Sequence, residues 1–291
     1  PERAFRITSI LELLGYSDKV ERAELSKQRT HLLAVPPTRV LTDELRNHLL
    51  LPRVARSPLA RMFELIAEAV AGLYSVPSLG ENLTPYQELG DPEFERIVAD
   101  TVRLFGVEPV ICVGDDVYGG VTAVLFPEPT VTIDRRFFAE PNLERRFFLG
   151  RAFDSLRGKY APLTRFSDRE KAEVAGLLST LLRPTAERPE PAREFVSQLS
   201  EELSQALDRF VHAEAGDPMT WIQAVVKTQN RAGLLACNDF GVAARTLAAL
   251  NGEALATTDD GAVPLGAIPG AADLVRFYIS SDYDRLHHDL A

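Results

Sequence analysis

The residues of this chain with catalytic or ligating potential are few. Its five histidines, His31, His48, His212, His287 and His288, are scattered. Adjacent helical residues project about 100° apart, so His287 and His288 do not converge on one ion. Cys112 and Cys237 form no C-x-x-C pair, which removes a zinc ribbon or a disulfide framework, and both read as small buried hydrophobes. No G-x-S-x-G and no glycine-rich loop leading into a helix with lysine occurs. Gly114-Asp115-Asp116 and Gly119-Gly120 read as hairpin turns. A hydrolase could use Asp154 or Glu170 as its base, but neither has a nucleophile or metal cluster at workable spacing. The most informative set lies in LERRFFLGRAFDSLRGKY, Leu143 to Tyr160, where Arg151, Asp154 and Ser155 share one short run. Asp154 follows Arg151 by three, the spacing of a surface ion pair on a helix.

That run must be a helix. Leu143, Phe147, Gly150, Phe153 and Leu156 recur at intervals of three or four and make one apolar face. Asn142 is the expected N-cap, Arg145 stands where a capping-box acid would sit, and Arg157-Gly158 is the stop. Upstream, residues 94–106 predict a helix, and three short β-branched runs, 108–113, 120–126 and 129–133, predict strands. Ser57-Pro58 opens a helix to Leu73, and the stretch 75–92, rich in Pro, Gly and Asn, reads as a loop. Downstream, Ser167 with Glu170 caps a helix to Leu182, residues 186–213 predict one long helix interrupted near its start by Pro189 and Pro191, and Asp217-Pro218 opens the next. The run 240–250 is helical, 251–269 a loop, and 273–279 with 284–290 a short helical finish. The expectation is an α+β fold, mostly helical, with a small antiparallel or mixed sheet.

Two of these segments resemble the gluzincin metallopeptidases, the HExxH zincins with a downstream glutamate ligand. Their zinc helix has the form E-L-x-x-V-L-A-H-E-x-x-H-L-x-x-G. The run Arg145 to Gly158 keeps its apolar frame, with Arg151 at the first histidine, Ala152 at the catalytic glutamate and Ser155 at the second histidine. The family's E-x-x-A-D-R-x-G-L-L is similar to Val226 to Leu235, where Arg231, Gly233, Leu234 and Leu235 agree but Val226 replaces the ligand glutamate and Asn230 the aspartate. Catalytic zinc needs three neutral-imidazole or carboxylate ligands and a glutamate to take the proton of its water. Arginine is a fixed cation without an acceptor, and alanine takes no proton. The resemblance therefore implies a zincin-like domain without metal, cofactor or catalytic residues, whose small sheet would line a cleft that holds peptide by strand addition. It also implies that Arg151, Ser155 and Lys227 surround the former metal site, where a carboxylate or phosphate could bind with arginine replacing the metal's charge.

The remaining sequence sets bounds on partners. The chain has 291 residues, 45% hydrophobic and 25% charged, and a net charge of -10, the wrong sign for a nucleic-acid binder. Charge is uneven: 9 basic against 5 acidic residues over 134–169, a net of +4, and 7 acids against 2 arginines over 251–291, a net of -5. No apolar run approaches the roughly 20 residues of a membrane span, and no basic-then-apolar leader opens the chain, so a cytoplasmic place is expected. Residues 2–28 predict two helices around Gly15-Tyr16-Ser17-Asp18, a hairpin that resembles the last unit of a tetratricopeptide array. A second copy about 34 residues away is not found, so further repeats would precede Pro1. Large bacterial proteins of this type join such repeats to a gluzincin-like region. Three segments are expected: a hairpin and linker over 1–50, a degenerate zincin-like domain over 51–250, and an acidic extension over 251–291. The expected role is an inactive, metallopeptidase-like protein-interaction or scaffold module within a larger assembly, or an anion- or peptide-binding module.

Overall fold

The computed structural model describes residues 2–32, 38–74, 79–250 and 265–291. It is mostly helical, with one four-stranded mixed sheet of β1 (Glu81–Pro85), β2 (Val110–Asp115), β3 (Val121–Val124) and β4 (Thr130–Asp134) in the order β1-β2-β4-β3. β2 runs parallel to β4, while β1 and β3 pair antiparallel with their neighbours. β3 is thus an edge. The Asp134 N–H donates to the Gly120 carbonyl at 2.7 Å. Alternation then turns the N–H and C=O of Val121 and Ala123 away from β4.

Asn142–Arg157, the central helix, packs most extensively against the long helix Pro218–Cys237. Both carry a glycine at the crossing. A methyl on Gly233 would lie 2.7 Å from the Phe147 carbonyl and 2.9 Å from Arg151 Cγ, and one on Gly150 would lie 2.8 Å from the Ala232 carbonyl. The two backbones meet with no room for a side chain. The central helix also lies against Pro92–Phe105 and β3, so its buried surface extends almost all round. Phe148, Leu149 and Ala152 are buried beside the predicted face of Phe147, Phe153 and Leu156.

Hydrophobic packing does not follow the expected segment boundaries. One cluster takes Ile10 and Leu13 from the hairpin, Leu41, Leu49 and Leu50 from the expected linker, and Leu274, Phe277, Tyr283 and Leu290 from the acidic end. A second gathers around Phe63, Trp221 and Leu178. The stretch 38–57 holds the short helix that Thr42-Asp43 and Pro52 predict, with Thr42 accepting the Leu45 N–H at 3.2 Å, and its turns are packed into the core by Leu41, Leu49, Leu50 and Ala55. Most of the expected 251–269 loop lies outside the described residues, as do Pro36 and Pro37, which would break any helix there. The N-cap of the central helix is Pro141, one residue before Asn142.

Two further expectations are corrected. The loop 75–92 contains β1, an exposed edge strand whose Asn82 takes a φ of 49°. The single helix over 186–213 is two helices, Glu190–Ser197 and Glu201–Asp208, because the Ser200 hydroxyl accepts the Leu203 N–H at 3.3 Å and starts a new helix. Ser167 and Glu170 form the expected capping box. Among the described residues no helix is long and apolar enough to cross a membrane.

The glycine crossing gives a prediction with a decided sign. In an isolated helix Gly→Ala gains up to ~1 kcal/mol, whereas forcing a methyl into a packed backbone contact costs ~1–3 kcal/mol. Gly233→Ala should therefore lower stability in chemical denaturation, while Gly176→Ala, which meets nothing within 4 Å, should raise it or leave it unchanged.

Candidate functional site

Beside the glycine crossing lies a cavity of about 590 Å³. Its walls come from three sources: Arg151, Ala152 and Ser155 of the central helix; Val226 and Gln229 of the long helix; and β3 with the turn before it. Residues 163–166 and Lys171 close the remaining side. The positions 151, 152, 155 and 226, which lie 71 residues apart from Ser155 to Val226 in sequence, thus share one cavity. Lys227 does not belong to it: one residue past Val226 it is turned about 100° around the helix and is exposed. Gln229, three past Val226, takes the place on that face.

These residues do not fit a zinc ion. Arg151 has no lone pair to give, Ala152 and Val226 have no donor atom, and the Ser155 hydroxyl donates to the Ala152 carbonyl at 2.7 Å. Among the described residues no three of His, Cys, Asp and Glu come together to hold a metal.

What the cavity holds instead is unpaired positive charge. Of the nine basic residues over 134–169, seven have a carboxylate within ion-pair distance: Arg135 with Asp115, Arg136 with Asp134, Arg145 with Asp91, Arg146 with Asp100, Arg157 with Asp43, Lys159 with Glu64 and Arg169 with Glu173. The other two, Arg151 and Arg165, have none among the described residues, and both line the cavity. Arg151 Nε is buried without a hydrogen-bond partner, as are Arg165 Nε and Nη1 and Gln229 Nε2. Arg165 Nη2 reaches the Ala71 carbonyl only at 3.4 Å. Each guanidinium lies near the ring of a phenylalanine, Arg151 by Phe147 at 6.0 Å and Arg165 by Phe166 at 5.9 Å, contacts of about 0.5–1 kcal/mol. Burial pulls the Arg151 guanidinium down to about 10 and lowers that of Arg165, which Glu170 partly opposes. Both remain cations at neutral pH.

Asp154 behaves oppositely and corrects the expected surface pair with Arg151. It is fully buried and turned to the other side of the helix, where Arg46 Nε donates to Oδ1 at 2.7 Å. Tyr160 Oη donates to Asp154 Oδ2, and Arg46 Nη2 donates to Tyr160 Oη at 2.7 Å. Burial opposes the Arg46 charge, but Asp154 and Tyr160 outweigh it and raise its pKa; burial pushes the Tyr160 phenol well up. Both carboxylates considered as hydrolytic bases are therefore engaged: Asp154 in this triad, and Glu170 with the Ser167 N–H and hydroxyl, each at 2.7 Å. Sequence reasoning found Arg151 and Ser155 but missed Arg165, Lys171 and Gln229. Arg165 lay in the basic island, and Gln229 carried a signal in its helical spacing from Val226.

Two substitutions separate the two kinds of buried charge. Asp154→Ala leaves Arg46 buried and alone, and should cost ~3–5 kcal/mol in chemical denaturation. Arg151→Met keeps the stem against Gly233 and removes a charge that burial disfavours, so it should stabilise by on the order of 1 kcal/mol. The sign follows from a base whose folded pKa is depressed: folding carries the full penalty below about 10, and the penalty shrinks as pH rises through that value. The advantage of the methionine variant should be flat across neutral pH and decline in alkali.

No protein-family model, curated protein or solved structure matches this chain.

Proposed function

We propose that the chain is a catalytically inactive, gluzincin-like binding module, a protein-interaction or scaffold unit of a larger bacterial, cytoplasmic assembly that holds a peptide without cutting it. One observation carries the reading: the four positions that the resemblance assigns to the zinc ligands and the base line one cavity, next to an unpaired sheet edge. Chance likeness between two short motifs gives no reason for that convergence. At those positions stand Arg151, Ala152, Ser155 and Val226, which supply neither a Lewis acid nor a base. β3 supplies a sheet edge whose Val121 and Ala123 amides turn away from β4 and whose residues line the adjoining cavity.

The test has a catalytic and a binding arm. Purified full-length protein should contain far less than stoichiometric zinc by plasma mass spectrometry, and a quenched fluorogenic peptide library should stay intact with or without added zinc. Peptides selected on the protein by phage display should bind the purified chain. Ala123→Pro, which removes one outward N–H and leaves the β4 ladder intact, should weaken them about tenfold, equivalent to ~1.4 kcal/mol. Stoichiometric zinc with cleavage would restore an enzyme. Equal binding to the proline variant, with unchanged circular dichroism, would remove strand addition.

A further inference from the structure

The cavity is a site for an oxyanion. We propose that Arg151, Arg165 and the Gln229 amide, with Lys171 beside them, hold a carboxylate or phosphate group inside it. This inference does not rest on the likeness to metallopeptidases or on peptide binding; it rests on donors that have no acceptor.

The chemistry of the wall is one-sided. Arg151 and Arg165 bring two positive charges without a carboxylate partner to the cavity, Lys171 adds a third that pairs with Asp168 at 3.4 Å, and among the described residues no Asp or Glu lines it. Gln229 is 2% exposed and Arg165 7%, yet Gln229 Nε2 and Arg165 Nε and Nη1 find no acceptor. Arg151 Nε is a further buried donor in the same state. Buried polar groups elsewhere in proteins are nearly always partnered, so several orphans of one kind around one space point to what belongs there. All are N–H donors. A neutral ligand would satisfy some of them but leave two buried cations unbalanced, whereas a carboxylate or phosphate supplies both the acceptors and the countercharge. The hydroxyls nearby do not compete: Ser155 donates to the Ala152 carbonyl, Thr122 to that of Tyr118 and Thr164 to that of Ala161, which leaves each oxygen free to accept but not to neutralise. Two acids act on this region from outside the wall: Asp168 pairs with Lys171 at 3.4 Å, and Glu170, held by Ser167, only partly offsets the effect of burial on Arg165.

A structural reading of the two arginines fails on the comparison with their neighbours. The seven other basic residues of the same stretch each found a carboxylate, several from segments distant in sequence. The fold therefore has the means to pair an arginine here, and leaves unpaired the two that meet at the cavity.

The test uses the whole chain and two simple probes, inorganic phosphate and N-acetylglycine, titrated at constant ionic strength with chloride as the balancing salt. Arginine Nε–Hε resonances are followed by nitrogen-15 NMR. The Arg151 and Arg165 signals should shift with saturation for at least one probe. Arg151→Met, Arg165→Met and Gln229→Leu should each weaken that binding, the arginine variants at least tenfold. Arg169→Met, outside the cavity and paired with Glu173, should leave it unchanged. Thermal melts establish that each variant is folded. Saturation by phosphate alone identifies a free phosphate or phosphoryl ligand. Competition of N-acetylglycine with a phage-selected peptide, lost when that peptide's carboxylates are amidated, identifies a peptide as the source. Shifts that stay linear in added salt, or saturation that survives all three cavity variants, would overturn the anion site. Saturable phosphate binding by a chain to which no phage-selected peptide binds would leave the anion site standing and put the peptide reading alone at fault.

Discussion

The approach of two backbones at Gly150 and Gly233 is the constraint on which the candidate site depends. Helices joined by large side chains sit 8–10 Å apart, and a pair with glycine on both faces can come closer. Here the Phe147 carbonyl and Gly233 occupy space that any Cβ would need. That proximity has a geometric consequence. Arg151 follows Gly150 by one residue, and Gln229 precedes Gly233 by four, one turn of helix, so both emerge at the margin of the crossing. The cavity lies beside that crossing, walled by the two helices and β3.

The central helix is held in that position by charge as well as by packing. Arg145, Arg146, Asp154 and Arg157 reach Asp91, Asp100, Arg46 and Asp43, so the helix is tied to the Pro92–Phe105 helix and its cap on one side and to the 38–57 turns on the other. Arg157 adds a bond to the Leu41 carbonyl at 2.5 Å. Exposed pairs contribute little, about 0–1 kcal/mol, but Arg146–Asp100 and Arg46–Asp154 are nearly dry, and removal of one partner strands the other. They specify where the helix lies more than they strengthen it. Arg151 sits among these tethered residues without a carboxylate partner among the described residues.

Much of this was legible in sequence, and the failures have physical reasons. The helices over 142–157 and 218–237 declared themselves by apolar periodicity, and β2, β3 and β4 by short β-branched runs between glycine and proline. β1 did not, because Glu81-Asn82-Leu83-Thr84-Pro85 has the composition of a turn. It is a strand only because β2 offers it an edge, with a register shift between Glu81 and Thr84. The 38–57 stretch hid its burial because single turns of helix give no periodicity; Leu41, Leu49 and Leu50 are buried by neighbours remote in sequence. Ser200-Glu201-Glu202 did carry a start signal, a capping hydroxyl followed by two acids, which a long apolar pattern across 186–213 obscured. Lys227 was misplaced because likeness of motif says which residues are near in sequence, while the helix decides which of them share a face. The pairing of charges was not legible at all. Arg146 and Arg151 look alike in the sequence, and only the fold gives one of them an aspartate.

That difference bears on how binding and cleavage separate in a scaffold of this kind. Zinc does two things at a catalytic centre: it presents positive charge to an oxygen, and it acidifies a bound water. A guanidinium does the first and not the second, because it has no vacant coordination position and holds its protons far above neutral pH. On the proposed reading, exchange of ligand side chains for Arg151, with Arg165 alongside, keeps a field that attracts carboxylate or phosphate while ending hydrolysis. The cost falls on stability, since both charges are partly desolvated with nothing opposite them. Methionine or leucine would fill the same space without that penalty. On that reading the two arginines without a carboxylate among the described residues are balanced by the bound anion.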